Sequence, residues 1–214
     1  MTKPSKQHLR DLIYDEYLGR IQHGQIGPED RLVDTTIAAE QNMSRMPVRD
    51  ALMRLAHEGY LTATTRGFML PDLSRRQVLE IFEIRRLLEP RAAALATNAL
   101  GEDGLALMAD AVDKAESTVA SHDIRLLYEA SEIIRNQWLS AVPNEELRTM
   151  ILRYLAQVQT VRMATMRDSK AHRVIVAGQR DLLAAFTRRD PVRASDIMLR
   201  FVLAAEDSYL ELTE

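Results

Sequence analysis

The chain has 214 residues, 46% of them hydrophobic, with no cysteine and a formal net charge of −3. That is enough for one large domain or two modest ones with an ordinary core, and it excludes disulfides and thiolate metal sites. No stretch approaches 18 consecutive apolar residues, so no membrane span is expected, and the short polar start from Met1 to Lys6 has no signal-peptide core, so a cytoplasmic protein is expected.

In chain order, Leu9, Leu12, Ile13, Tyr17 and Ile21 recur at helical spacing and predict a first helix ending near Gly24. Gly27-Pro28-Glu29-Asp30 reads as a turn. A short second helix follows Thr35 or Thr36, built on Ile37, Ala38 and Ala39, and Asn42-Met43 breaks it. Ser44 offers an N-cap, Pro47 fits the first turn of a third helix, and Gly59 supplies its stop. Leu61–Thr64 and Phe68–Leu70 are β-prone, with Thr65-Arg66-Gly67 as a hairpin tip. Three helices and a hairpin are the order of a winged helix-turn-helix. Pro71–Ser74 marks a boundary, which predicts domains at 1–73 and 74–214.

Residues 1–72 hold nine Lys/Arg against ten Asp/Glu. Bulk charge therefore does not attract nucleic acid, and DNA binding must rest on a few placed side chains and helix ends. Arg45 and Arg49 are four apart on one helical face, and arginine pairs bidentately with guanine. Ser44, Thr35 and Thr36 can donate to phosphates. Each of these residues taken singly also reads as a solvated charge or a simple cap.

The segments Arg31-Leu32-Val33, Ile37-Ala38-Ala39-Glu40, Ser44–Leu52, Leu55 and Glu58-Gly59-Tyr60-Leu61 resemble the GntR family of bacterial transcriptional regulators. The family commonly has Val at Met43, Thr at Met46 and Gly at Asn42. The resemblance covers about residues 8–72. It implies a DNA-binding set of Arg31, Thr35, Thr36, Ser44, Arg45, Pro47, Arg49, Arg66 and Gly67, with the wing tip reaching toward the minor groove.

From Ser74 onward the sequence predicts six helices, at about 74–98, 102–121, 123–142, 145–167, 170–189 and 191–213, with Pro90 a candidate split in the first. The fold class is thus mainly α, a winged helix-turn-helix followed by an all-α bundle. Polar residues interrupt the apolar stripes: Arg85 in the first helix of this half, Ser131 and Arg135 in the third, Arg162 in the fourth and Gln179 in the fifth. A buried arginine needs a partner. One reading is internal ion pairing, Arg85 with Glu89 and Arg135 with Glu132 or Glu129. The other is a pocket of Arg85, Ser131, Arg135, Arg162 and Gln179 that holds a carboxylate or another anion.

Glu83–Pro90, Asn144 with Leu147, and Arg189-Asp190-Pro191 resemble the FadR-type C-terminal domain of the same family, over about residues 76–212. That resemblance implies a helical bundle, a central effector pocket and a homodimer. Many such domains hold a divalent metal through one Asp and three His, and the corresponding positions here are Ser131, Arg135, Gln179 and Phe201. None is a good ligand, and His172 lies about 10 Å along the axis from Gln179, too far to substitute. No metal and no cofactor are expected.

No nucleophile–base set or phosphate loop stands out, so an enzyme is not expected. The reading is a DNA-binding regulator, taken as a repressor, acting as a homodimer on a pseudo-palindromic operator. A small anionic metabolite would bias the orientation of the DNA-reading domains through the Pro71–Ser74 linker. The alternative is a helical protein-interaction module with little or no DNA binding.

Overall fold

The computed structural model describes residues 6–213. They form ten helices and one two-stranded hairpin: α1 (Lys6–Gln22), α2 (Asp34–Glu40), α3 (Arg45–His57), β1 (Thr62–Thr64), β2 (Gly67–Met69), α4 (Arg75–Ala99), α5 (Glu102–Ser121), α6 (Ile124–Ser140), α7 (Glu145–Gln157), α8 (Gln159–Arg167), α9 (Ser169–Thr187) and α10 (Pro191–Leu212). Two compact units divide the chain, one built on residues up to Ser74 with Leu152–Thr160, the other on Arg75–Ile151 and the chain from Val161 onward.

In the first unit, α1 and α2 pack on α3 around Ile13, Tyr17, Ile37, Val48, Leu52 and Leu55. Tyr14 fastens α1 to the end of α3, its hydroxyl donating to Glu58 at 2.5 Å while Arg54 lies over its ring. The turn between α2 and α3 passes through Asn42 at φ 51°, a left-handed conformation that Asn tolerates because its short polar side chain bonds locally. The antiparallel hairpin pairs Thr62 with Met69 and Thr64 with Gly67. A bridge from Leu32 to Phe68 gives it a third contact, with two backbone hydrogen bonds of 2.8 Å.

The second unit is all helical, with α4 against α10, α5 against α6 and α9, and α9 against α10. Pro90 lies inside α4 without ending it, and no split is seen there. The helix predicted over 145–167 is two helices, because the chain turns at Val158 between α7 and α8. Capping residues set the boundaries. Asp123 accepts from Leu126 N–H, Asn144 from Leu147, Asp168 from Lys170 and Ala171, and Asp190 from Arg193 with Pro191 following it. Among the described residues no helix is long and apolar enough to cross a membrane.

Candidate functional site

The first unit presents its polar face at the start of α3. Ser44 stands at the N-cap with extended dihedrals, yet its hydroxyl makes no capping bond, which differs from the cap that the sequence suggests. Its hydroxyl is thus not spent on its own helix. Arg45 and Arg49 follow, one turn apart, with side chains 56% exposed. Both lean on Asp34, the first residue of α2: Arg45 Nε lies 3.0 Å and Arg49 Nη1 3.4 Å from its Oδ2. Thr35 and Thr36 are exposed in the same first turn of α2.

Pro47 is buried among the α3 core residues, so its part is to start the helix rather than to meet a ligand. Arg31 is exposed, and its neighbour Leu32 bridges to Phe68, which puts the approach to α2 beside the hairpin. Arg66 is exposed at the hairpin tip, where its backbone N–H donates to Thr64 Oγ1 and that hydroxyl donates to Gly67 O. Gly67 has φ 128°, and a Cβ there would sit 2.6 Å from the Leu32 carbonyl oxygen. Only glycine allows both the conformation and that approach.

Asp34 is a residue the sequence reading missed. The sequence predicts a second helix that only follows Thr35 or Thr36, whereas α2 already begins at Asp34. The available signal is an acidic residue eleven and fifteen positions before the two arginines of one helix face.

The polar residues of the second unit divide into two groups. Arg85 gives its Nε to Glu89 at 2.5 Å, and both side chains are buried. This is the internal ion pair that one reading anticipated. The other group gathers on α6, α8 and α9. Glu132 pairs with Arg135 on its own helix and with Arg162 Nη2 at 3.0 Å, while Arg162 also lies over the Tyr128 ring. Burial pushes the Glu132 carboxyl up, but the two guanidiniums outweigh it and hold the group below its ordinary value. Beside this triad Gln179 Nε2 donates to Ser131 Oγ at 2.7 Å, and Gln179 Oε1 is buried without a partner. The link from Glu132 to Arg162 was not anticipated, since their sequence separation reveals no pairing.

The four positions at which related domains hold a metal do not fit one here. Arg135 brings a cation to one of them, and Ser131 and Gln179 bond to each other. The fourth is filled by the Phe201 ring, which lies so close to Gly178 that a Cβ there would be 2.6 Å from its Cδ2. Among the described residues no three His, Cys, Asp or Glu side chains cluster as metal ligands. A divalent ion favours carboxylate and imidazole donors, not a neighbouring guanidinium.

A second polar pair sits between α5 and α9. Thr118 donates to the Ala115 carbonyl at 2.6 Å, so its oxygen accepts from His172 Nε2 at 2.7 Å. That fixes the proton on Nε2 and leaves buried Nδ1 without a hydrogen-bond partner. Burial first, then His122 and Arg173, push the His172 pKa down.

Residues 9–68 match the family described as bacterial regulatory proteins, gntR family, and residues 80–204 match the FCD domain. The chain is 29% identical over 136 residues to the HTH-type transcriptional regulator YdhC of Bacillus subtilis, covering 63% of this chain and 58% of that one. To the HTH-type transcriptional regulator McbR of Escherichia coli it is 32% identical over 113 residues, covering 52% and 51%. The chain thus spans a little over half the length of these two curated relatives. The solved structure of E. coli McbR/YncC shares the fold over the whole of both chains, with a TM-score of 0.82 at 21% identity. With both halves matched in this order, the chain belongs to the GntR family of bacterial regulatory proteins, in the branch that carries a C-terminal FCD domain.

Proposed function

We propose that this protein is a sequence-specific DNA-binding transcriptional regulator that represses, works as a cytoplasmic homodimer on a pseudo-palindromic operator, and answers to a small anionic metabolite. The observation that carries the DNA reading is the start of α3, where Arg45 and Arg49 stand exposed on one face above Asp34. Ser44, Thr35 and Thr36 add hydroxyls beside them for phosphates, and Arg31 and Arg66 add cations near the wing. A near-neutral domain reaches DNA through such placed donors rather than through overall charge.

For the metabolite, the second unit offers two guanidiniums sharing one carboxylate, an assembly with an excess positive charge. Ser131 and Gln179 supply neutral polar groups next to it. Arg135 and Arg162 are the anion partners in this reading, with Ser131 and Gln179 orienting. Arg85 is set aside, because Glu89 already neutralises it. Binding would change the equilibrium between arrangements of the DNA-reading units by its differential affinity for them.

The test is to incubate the purified protein with sheared DNA from its source organism at moderate salt and sequence what is retained. Enrichment of a few short inverted repeats is expected. Even retention, or none, with and without added metabolite would favour the interaction-module reading instead.

A further inference from the structure

Asp34 is 6% exposed, and a carboxylate so buried needs compensation. The compensation comes from the next helix, through Arg45 and Arg49, and both contacts fall on one oxygen, Oδ2. The anchor is therefore buried while the two cations it holds remain more than half exposed. The two tethers also differ. Arg45 Nε stands 3.0 Å from Asp34 Oδ2 as an ion pair without a hydrogen bond, whereas Arg49 Nη1 donates one. The two terminal nitrogens of Arg45 are thus left as an end-on fork. Such a fork matches the O6 and N7 acceptors of guanine. Arg49 is held by Nη1 at 3.4 Å, so one prong of its end-on fork is engaged and single bonds suit it better.

We infer that Asp34 is a positioning residue that sets sequence discrimination, aiming Arg45 as the guanine reader and restricting Arg49 to a supporting contact. This rests on the DNA-reading proposal above. A free arginine gives up rotamer freedom when it docks, and a tethered one has given up part of it beforehand. The carboxylate's own charge repels phosphates, so Asp34 opposes indiscriminate binding while it sharpens selective binding.

The experiment measures fluorescence anisotropy with two duplexes of equal length and composition, one recovered by the genomic selection and one scrambled. Wild type, Asp34→Asn, the Arg45→Ala/Arg49→Ala double variant and the triple variant are compared. Asp34→Asn is expected to lower the ratio of scrambled to selected Kd about tenfold, in the range of one bidentate base contact, while binding the scrambled duplex at least as tightly as wild type. With both arginines already removed, Asp34→Asn is expected to change the ratio no further. An unchanged ratio in Asp34→Asn, or an equal drop without the arginines, would overturn the inference. Arg45→Lys and Arg49→Lys give a second measure should Asp34→Asn fold poorly. The inference expects Arg45→Lys to lose discrimination and Arg49→Lys to keep most of it, and equal losses would overturn it. A wild-type protein that does not distinguish the duplexes would sink the DNA reading itself.

Discussion

Gln179 on α9 donates its amide to the Ser131 hydroxyl on α6 at 2.7 Å, so two positions where related domains place metal ligands are instead hydrogen-bonded to each other. With Arg135 at a third and Phe201 at a fourth, the centre of this unit is held by a charged triad and neutral polar bonds. The expected outcome is a fold indifferent to divalent ions. A chelator, or added zinc or nickel, should leave the melting temperature unchanged. A resident metal saturated about 100-fold above its Kd would contribute about 2.7 kcal/mol, which a thermal melt detects easily. A clear drop on chelation would contradict this.

Glu132 is the common partner of Arg135 and Arg162. Replacing it by glutamine keeps the shape and leaves two largely buried guanidiniums facing each other. Glu132→Gln should therefore cost about 3 kcal/mol of unfolding free energy in a denaturant titration, the lower end for a broken buried pair. If an anionic metabolite takes the place beside the arginines, adding it should recover more stability in Glu132→Gln than in wild type. A variant as stable as wild type would show that the triad is not a structural unit.

His172 gives a pH dependence with a definite sign. Its pKa in the folded chain lies below the ordinary value of 6.5, chiefly because burial disfavours the imidazolium. As pH falls through about 6.5 the unfolded chain takes up the proton more readily, so stability declines on acidification and recovers above it. Protonation would also place an N–H at buried Nδ1, which has no acceptor. Thermal melts between about pH 7.5 and pH 5.5 should show the loss. His172→Gln, which can still donate toward Thr118, should flatten that part of the profile, and an unaltered slope would contradict the assignment.

Gly67 ties the wing to the segment around Leu32 that leads into α2. Its φ of 128° and the 2.6 Å clearance to Leu32 O leave no room for a Cβ. Gly67→Ala should cost about 1–3 kcal/mol of backbone strain or displace the hairpin. The displaced wing would move Arg66, so DNA affinity should fall as well. Unchanged stability together with unchanged DNA binding would show that the wing tolerates the movement.

These residues also show which parts of the molecule could be read in the sequence. Local chemistry was legible. The helix starts near 145 and 191 and the hairpin tip at Thr65-Arg66-Gly67 depend on neighbours a few residues away. The turn at Asn42 was visible for the same reason. The break at Val158 was not, since neither Gly nor Pro marks it. Pro90 misled in the opposite direction. It removes one N–H from the helix, but burial of the residues around it keeps α4 continuous. In the polar core the sequence exposed Arg135 with Glu132 because they share a helix. Arg162 with Glu132, and Asp34 with Arg45 and Arg49, join different helices, and only the fold brings them together.

The measurement that bears most directly on the central claim is the Kd of Arg45→Ala, against wild type, for a duplex recovered from the source organism's DNA. The account predicts a loss of about 1–3 kcal/mol on that duplex, with a much smaller loss on a scrambled one. Equal affinity of variant and wild type for the selected duplex, with Arg49→Ala equally silent, would contradict DNA reading by this face of α3.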